Sequence, residues 1–301
     1  MIDLLTFEAE PAADSADVQE ICNYLDAVHF ARQQLSNPQG LPLSVRLLNE
    51  THRRLMKGVR GQEKLPGEVR QSQNWIGGTR PGNAVFVPPP PHAVAGLLGE
   101  LERFIHGASP LAPLARAGLV HVQFETIHPY LDGNGRLGRL LIALLLEHWK
   151  LLTQPLLYLS SFFKQHRGEY YRRLGAVRSD GDFEGWLAFF FEGVTSVANE
   201  AVSTTRDLFA MVATDREKVL ATKSSSLMAA RLFELLPEHP IVTISGVGTL
   251  LKTTKPTATK AVTALVDAGV LVERPGQGRA RAFAYGAYLE RLAAGTELED
   301  R

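Results

Sequence analysis

Two apolar helical stretches meet at a short polar break, His128-Pro129-Tyr130-Leu131-Asp132-Gly133-Asn134, and this junction constrains the chain more than any other feature of it. Residues 113–128 read as a helix that must stop near His128, because a residue preceding proline is driven out of the α region. His128 is thereby delivered at a helix end, beside a loop. Residues 131–135 hold two glycines around Asn134, and the apolar segment 135–150 that follows is again helical. Glycines ahead of a helix let backbone N–H groups crowd together and point outward, where the helix dipole also favours an anion.

Arg136 and Arg139 are three residues apart and share one helix face, whereas Leu137, Leu140, Leu141 and Leu144 cluster on another that can be buried. The arginines are thus anchored from behind and presented to one ligand. Guanidinium forks match phosphate oxygens bidentately. Asp132 can hold Mg²⁺, an ion that usually takes one or two carboxylates together with phosphate oxygens. His128 has a suitable basicity for taking a hydroxyl proton. An anion nest, two arginines, a carboxylate and a histidine make a phosphoryl- or nucleotidyl-transfer site.

The chain has 301 residues, a length that suggests two domains. Its 32 basic and 32 acidic residues cancel, which excludes a protein that coats nucleic acid or anionic membrane with its whole surface but allows local patches. The single cysteine, Cys22, favours a reducing compartment and reads as a core thiol. The N-terminal stretch lacks a signal-peptide pattern, and the longest apolar run, 140–146, is far short of a membrane span. A soluble, cytoplasmic protein without a membrane partner is expected.

Periodicity predicts helices over 17–32, 44–58, 94–105, 113–128, 135–150, 166–177 and 186–218. Glycines and prolines crowd 58–92, and the turn at 77–82 ahead of Ala84-Val85-Phe86-Val87 predicts an exposed hairpin over 75–87, closed by 88–91. Its edge could take an extended peptide by strand addition. From about residue 224 a second pattern begins. Helices near 227–235, 245–251 and 255–267 precede two β-prone runs, 270–272 and 282–285, which flank the turn Pro275-Gly276-Gln277-Gly278. Three helices and a β-ribbon follow the order of a winged helix-turn-helix. Six basic residues against two acidic between Pro240 and Gly286 give it a local positive excess. Lys255, Thr257, Thr259, Lys260 and Thr263 would form a recognition face, with Arg279 and Arg281 on the wing. DNA binding and a protein-docking or dimerising role both fit this composition.

The run HPYLDGNGRLGR resembles the signature of the Fic (Fido) family, His-Pro-Phe-x-Asp/Glu-Gly-Asn-Gly-Arg-x-x-Arg, with Tyr130 in place of phenylalanine. SQNWIGGTRPGNAVFVPPPP resembles the flap of the same family, and the similarity spans about 10–220. The resemblance implies a mainly α fold: an N-terminal helical segment (1–40), a Fic core with a β-hairpin flap (41–220, motif 128–139) and a small winged helix (224–301). It implies transfer of AMP from ATP, with Mg²⁺, to Ser, Thr or Tyr hydroxyls of a protein docked on the hairpin. His128 would deprotonate the hydroxyl and Asp132 would hold the metal. Gly133, Asn134, Gly135, Arg136, Leu137, Gly138 and Arg139 would bind the nucleotide, while Tyr170 and Tyr171 would line an adenosine pocket or serve as core aromatics. A homodimer is compatible with this reading.

Many relatives carry an inhibitory Ser/Thr-x-x-x-Glu-Gly/Asn helix before the segment equivalent to MIDLLTFEAE, whose glutamate meets the arginine equivalent to Arg139. Whether such a helix lies upstream of Met1 is open; without it, constitutive activity is expected. Ser196 and Glu200 imitate that spacing but read as ordinary helix surface.

Rival readings are weaker. GNGRLG fits the dinucleotide fingerprint but follows a helix rather than a strand. No P-loop occurs. His121, Glu125 and His128 share a helix face, yet the pattern is not that of a zinc helix; His121 reads as a packing residue, and Glu125 either orients His128 or caps a turn. His52, His92 and His106 read as surface or packing residues. Two further functions stay open: a related transfer or AMP removal on the same fold, and a DNA-binding regulator with a nucleotide-sensing lobe.

Overall fold

A computed structural model describes residues 16–154, 157–274 and 281–294. It is mainly helical, with one small three-stranded sheet, and forms two compact units, one of them Gln19–Ala198 and the other containing the chain from Asn199 onward. Among the described residues no helix is long and apolar enough to cross a membrane.

Helix α1 (Ala16–Ser36) lies in the larger unit from Gln19 onward. Ala27, Val28 and Ala31 join the same core as the motif helix, while Leu25 is exposed. The buried stripe is displaced because Asn23 lies inside and its amide donates to the carbonyls of Leu55 and Lys57. Cys22 is half-buried rather than a core thiol. Those carbonyls close α2 (Val45–Leu55), which Ser44 caps by accepting from the Leu47 amide.

The hairpin is not a regular one. Ile76 and Phe86 form a single antiparallel bridge, and a 3₁₀ turn occupies Pro81–Asn83. The Asn83 side chain accepts from the Thr79 and Arg80 amides and, with the Asn83 amide donating to Arg80 O, holds the turn. Val85 is almost fully exposed, so no apolar face exists to stabilise a longer ladder. Pro91, expected to end this region, instead opens α3 (Pro91–His106), where a missing N–H costs nothing.

The centre of the unit is α4 (Pro113–Ile127) against α5 (Asn134–His148), whose Leu137, Leu140, Leu141, Leu144 and Leu145 are all buried. A short helix not foreseen from the sequence, α6 (Leu159–Gln165), precedes α7 (Arg167–Asp180). Helix α8 (Phe183–Ala221) seats Trp186 in this core, and its indole N–H donates to Gly118 O at 2.8 Å. Gly118 has no Cβ because one would come within 3.0 Å of Leu187 and Phe190.

In the second unit, α9 (Leu227–Leu235), β1 (Ile241–Thr243), α10 (Ile244–Leu250), α11 (Lys255–Asp267), β2 (Val272–Arg274), β3 (Ala282–Ala284) and α12 (Gly286–Ala293) follow in order. The sheet order is β1-β3-β2, antiparallel throughout, with Ile241 and Val272 both opposite Ala284. This order is consistent with the winged helix-turn-helix; β1 and α12 were not legible, and the turn 275–278 with Arg279 lies outside the described residues. The division between the two units falls inside α8, between Ala198 and Asn199. Phe283, Val262, Leu265 and Phe233 fill its core. Tyr285 donates its hydroxyl to the buried Asp215 at 2.7 Å. Tyr285→Phe strands that carboxylate oxygen and should destabilise this unit by about 1–3 kcal/mol in chemical denaturation.

Candidate active site

The Pro129 ring ends α4, and His128, its C-cap, is held in the left-handed region at φ 50° and ψ 63°. That conformation is unfavourable for a residue with a Cβ. The compensation is Arg70, only 2% exposed, in a segment that its glycines and prolines mark as irregular. Its guanidinium donates to the carbonyls of His128 (2.8 Å), Ile127 (3.3 Å), Pro89 (2.6 Å) and Ser72 (3.3 Å), and its own amide donates to Pro129 O. One buried cation therefore pins the His128 backbone to the base of the 75–87 loop. Arg70 escaped sequence reading because nothing local marks a partner 58 residues away.

The loop is closed by its own side chains. Asn134, 2% exposed, accepts from the Tyr130 amide and donates to the Tyr130 carbonyl, so its side chain clamps the loop. Tyr130 stacks on His52 at 4.0 Å and donates to Asn49 Oδ1. The Gly67 amide donates to His52 Nδ1, which leaves Nε2 as the donor to Asp132 O at 2.9 Å. His52 is thus the packing residue expected, with the added task of fixing the loop. Gly133, at φ 75°, has no room for a Cβ against Met56 Sδ and His52 Nε2.

Gly133 N–H donates to Asp132 Oδ1, so the nest comprises the amides of Asn134, Gly135 and Arg136 in the first turn of α5, which have no intrahelical carbonyl to bond. Leu137 donates its amide to Gly133 O and buries its side chain, and Gly138 packs against Glu125, Phe124 and His121. Both support the helix from behind. Asp132 is half-exposed, and its Oδ2 makes no hydrogen bond among the described residues. No cluster of three or more ligating side chains exists among those residues. A single open carboxylate fits Mg²⁺ only as an ion shared with phosphate oxygens.

Arg136 lies 3.2 Å from Glu20 of α1 and 3.9 Å from Asp132, and Arg139 donates to Ser160 Oγ of α6 at 3.0 Å. Neither Glu20 nor Ser160 was identified from sequence, since each comes from a remote element. Tyr170 is a core aromatic, stacked on Phe163 with its hydroxyl at 3.0 Å from His121 Nε2, and Tyr171 is half-exposed beside it. His121 Nδ1 reaches Gly138 O, which commits both ring nitrogens and leaves none for zinc. Arg178 donates to Glu125 O and lies 3.8 Å over the Phe86 ring, tying α7 to the flap.

Burial drives the His128 imidazole down to about 4, opposed in part by the Glu125 carbonyl, so the ring is neutral at pH 7. Burial likewise lowers His52 to about 4 and His121 to about 3. An unfolded chain therefore takes up these protons first as pH falls below about 6.5. The stability they contribute is complete above that value and drains as pH falls toward 4, at up to about 1.4 kcal/mol per pH unit for each group. A urea midpoint that drops steeply between pH 6.5 and 4.5 is the expected result.

The Fic/DOC family model matches residues 42–146. Proteins named protein adenylyltransferase Fic from Drosophila erecta and Drosophila melanogaster are 31% and 30% identical over 172 residues, 56% of this chain and 32% of theirs. The chain thus spans about a third of the length of these curated relatives. In fold it is similar to a Fic family protein from Desulfovibrio desulfuricans G20, at a TM-score of 0.57 and 20% identity, covering 94% of this chain and 80% of that one. A Fic domain containing signaling protein from Bacteroides thetaiotaomicron gives 0.51 at 17% identity, covering 66% and 78%. Signature, fold and sequence match agree: residues 42–146 of this chain match the Fic/DOC family.

Proposed function

We propose that the chain is a protein adenylyltransferase that moves AMP from ATP to a Ser, Thr or Tyr hydroxyl. The observation that carries this reading is a neutral, buried imidazole ending one helix ahead of the open first turn of the next, with Asp132 near the ring and Arg136 and Arg139 on that next helix. His128 Nε2 accepts the hydroxyl proton, the oxygen attacks the α-phosphorus in line, and pyrophosphate leaves. The amides of Asn134, Gly135 and Arg136 and the two guanidiniums carry the phosphate charge; positioning and electrostatics supply most of the acceleration. Mg²⁺ held by Asp132 would neutralise phosphate oxygens. The 75–87 loop, with Trp75, Val85 and Val87 exposed, offers its edge to the target segment. A reducing, cytoplasmic setting suits a chain with one cysteine.

Incubating the protein and a lysate with ATP labelled at the α- or γ-phosphate tests this. Label from the α position alone should appear on protein, with pyrophosphate released. Transfer of the γ label, or of another nucleotide only, points to a related reaction instead.

DNA binding by the C-terminal unit is a separate proposal. Helix α11 buries Ala258, Ala261, Val262 and Leu265 and turns Lys255, Lys260 and Thr263 outward, a small basic face suited to phosphate and groove contact. Duplex binding by the whole chain should weaken with salt, and Lys255→Ala with Lys260→Ala should reduce the logarithmic salt slope by about 2. Binding that ignores salt and both lysines favours protein docking.

A further inference from the structure

Glu125 precedes His128 by three residues on α4 and so shares its face. Its carboxylate is 6% exposed and lies between α4 and α5, against Gly138, where an added Cβ would come within 2.6 Å of Oε1. Oε1 has no hydrogen-bond partner, and the buried His128 Nδ1 makes no hydrogen bond of good geometry, the Glu125 backbone carbonyl being a weak acceptor for the ring. The other carboxylate oxygen, Oε2, stands 3.9 Å from that Nδ1. Buried polar atoms are almost always satisfied, so a buried carboxylate with a free oxygen beside a poorly satisfied ring nitrogen calls for a role.

We propose that Glu125 is the positioning residue of His128: its carboxylate receives Nδ1–H, holds the tautomer with Nε2 free, and balances the imidazolium formed during transfer. This rests on the reading of His128 as the base. In that step the substrate O–H bond breaks and its proton goes to Nε2. The oxygen then bonds phosphorus as the bond to pyrophosphate breaks. Glu125 gains no proton; it tightens a hydrogen bond over about 1 Å, as catalytic contacts commonly do on the way to the transition state. The other groups facing the pair are Arg178, Arg70 and Asp132 around the imidazole, and Arg139, Arg178 and Tyr170 around the carboxylate. Burial pushes Glu125 toward protonation, and Arg139 and Arg178 oppose it.

Glu125→Gln keeps the shape and removes the charge. In the full chain it should lower kcat about 10- to 100-fold while KM for ATP stays within about 3-fold. In a His128→Ala background the same change should have no further effect. The ring ¹⁵N shifts of His128 at pH 7 should report at least a threefold fall in the Nδ1–H share of tautomers. An undiminished kcat, with wild type active and His128→Ala inactive, overturns the inference and spares the base. Activity surviving in His128→Ala sinks the base reading, and the tautomer ratio then decides alone: an unchanged ratio overturns the positioning role. If Glu125→Gln does not fold, Glu125→Asp takes its place, since withdrawing the carboxylate from Nδ1 should move the same kcat and tautomer readouts.

Discussion

His128→Ala should reduce AMP transfer by about a thousandfold while ATP binding and the unfolding midpoint change little. The imidazole is buried, neutral at pH 7 and set at the end of α4, just ahead of the loop that leads into α5. Removing a positioned base usually forfeits a factor of about 10²–10⁴, and nothing nearby can substitute for it. Asp132 shares its loop but is half-exposed and bonded to the Gly133 amide. Because burial holds His128 near 4, the acid limb of the rate profile should fall only below about pH 5, leaving this group's contribution flat from pH 6 to 8. Transfer by the alanine variant at more than about a tenth of the wild-type rate would show that the proton goes elsewhere.

The second large effect belongs to a residue with no part in the chemistry. Arg70→Ala uncovers the carbonyls of Ile127, His128, Pro89 and Ser72 in a buried place where water cannot readily replace the guanidinium. Charge-assisted hydrogen bonds contribute about 1.5–3 kcal/mol each and do not add fully, so a loss on the order of 4 kcal/mol is expected in denaturant titration. Arg70→Lys should recover only part of it, because one ammonium cannot span carbonyls that a planar fork reaches together. Since Arg70 also holds the left-handed His128, any variant that folds should transfer AMP poorly yet still bind ATP. A variant with full stability would mean that other contacts carry the His128 turn.

What was legible and what was not divides along sequence distance. The break at His128-Pro129, the helix after Gly133 and the buried leucine face of α5 are local consequences of proline sterics, glycine freedom and helical period, and the structure has them. The strand at 84–87 failed because its local β preference had no second ladder or buried face to act on. The short helix Leu159–Gln165 was missed, being too brief to display a period. Leu137 and Gly138 sit inside a motif whose neighbours point outward, and helical rotation turns both inward.

The sequence by itself determined which residue types lie at the junction and that one histidine must end a helix there. Only the tertiary structure decided how they are held: Arg70 on the His128 carbonyl, His52 on Asp132, Glu20 on Arg136 and Ser160 on Arg139. Sterics and periodicity act within a few residues and can be read along the chain. These restraints join side chains from separate elements, and exist only once burial of a common core has brought those elements together.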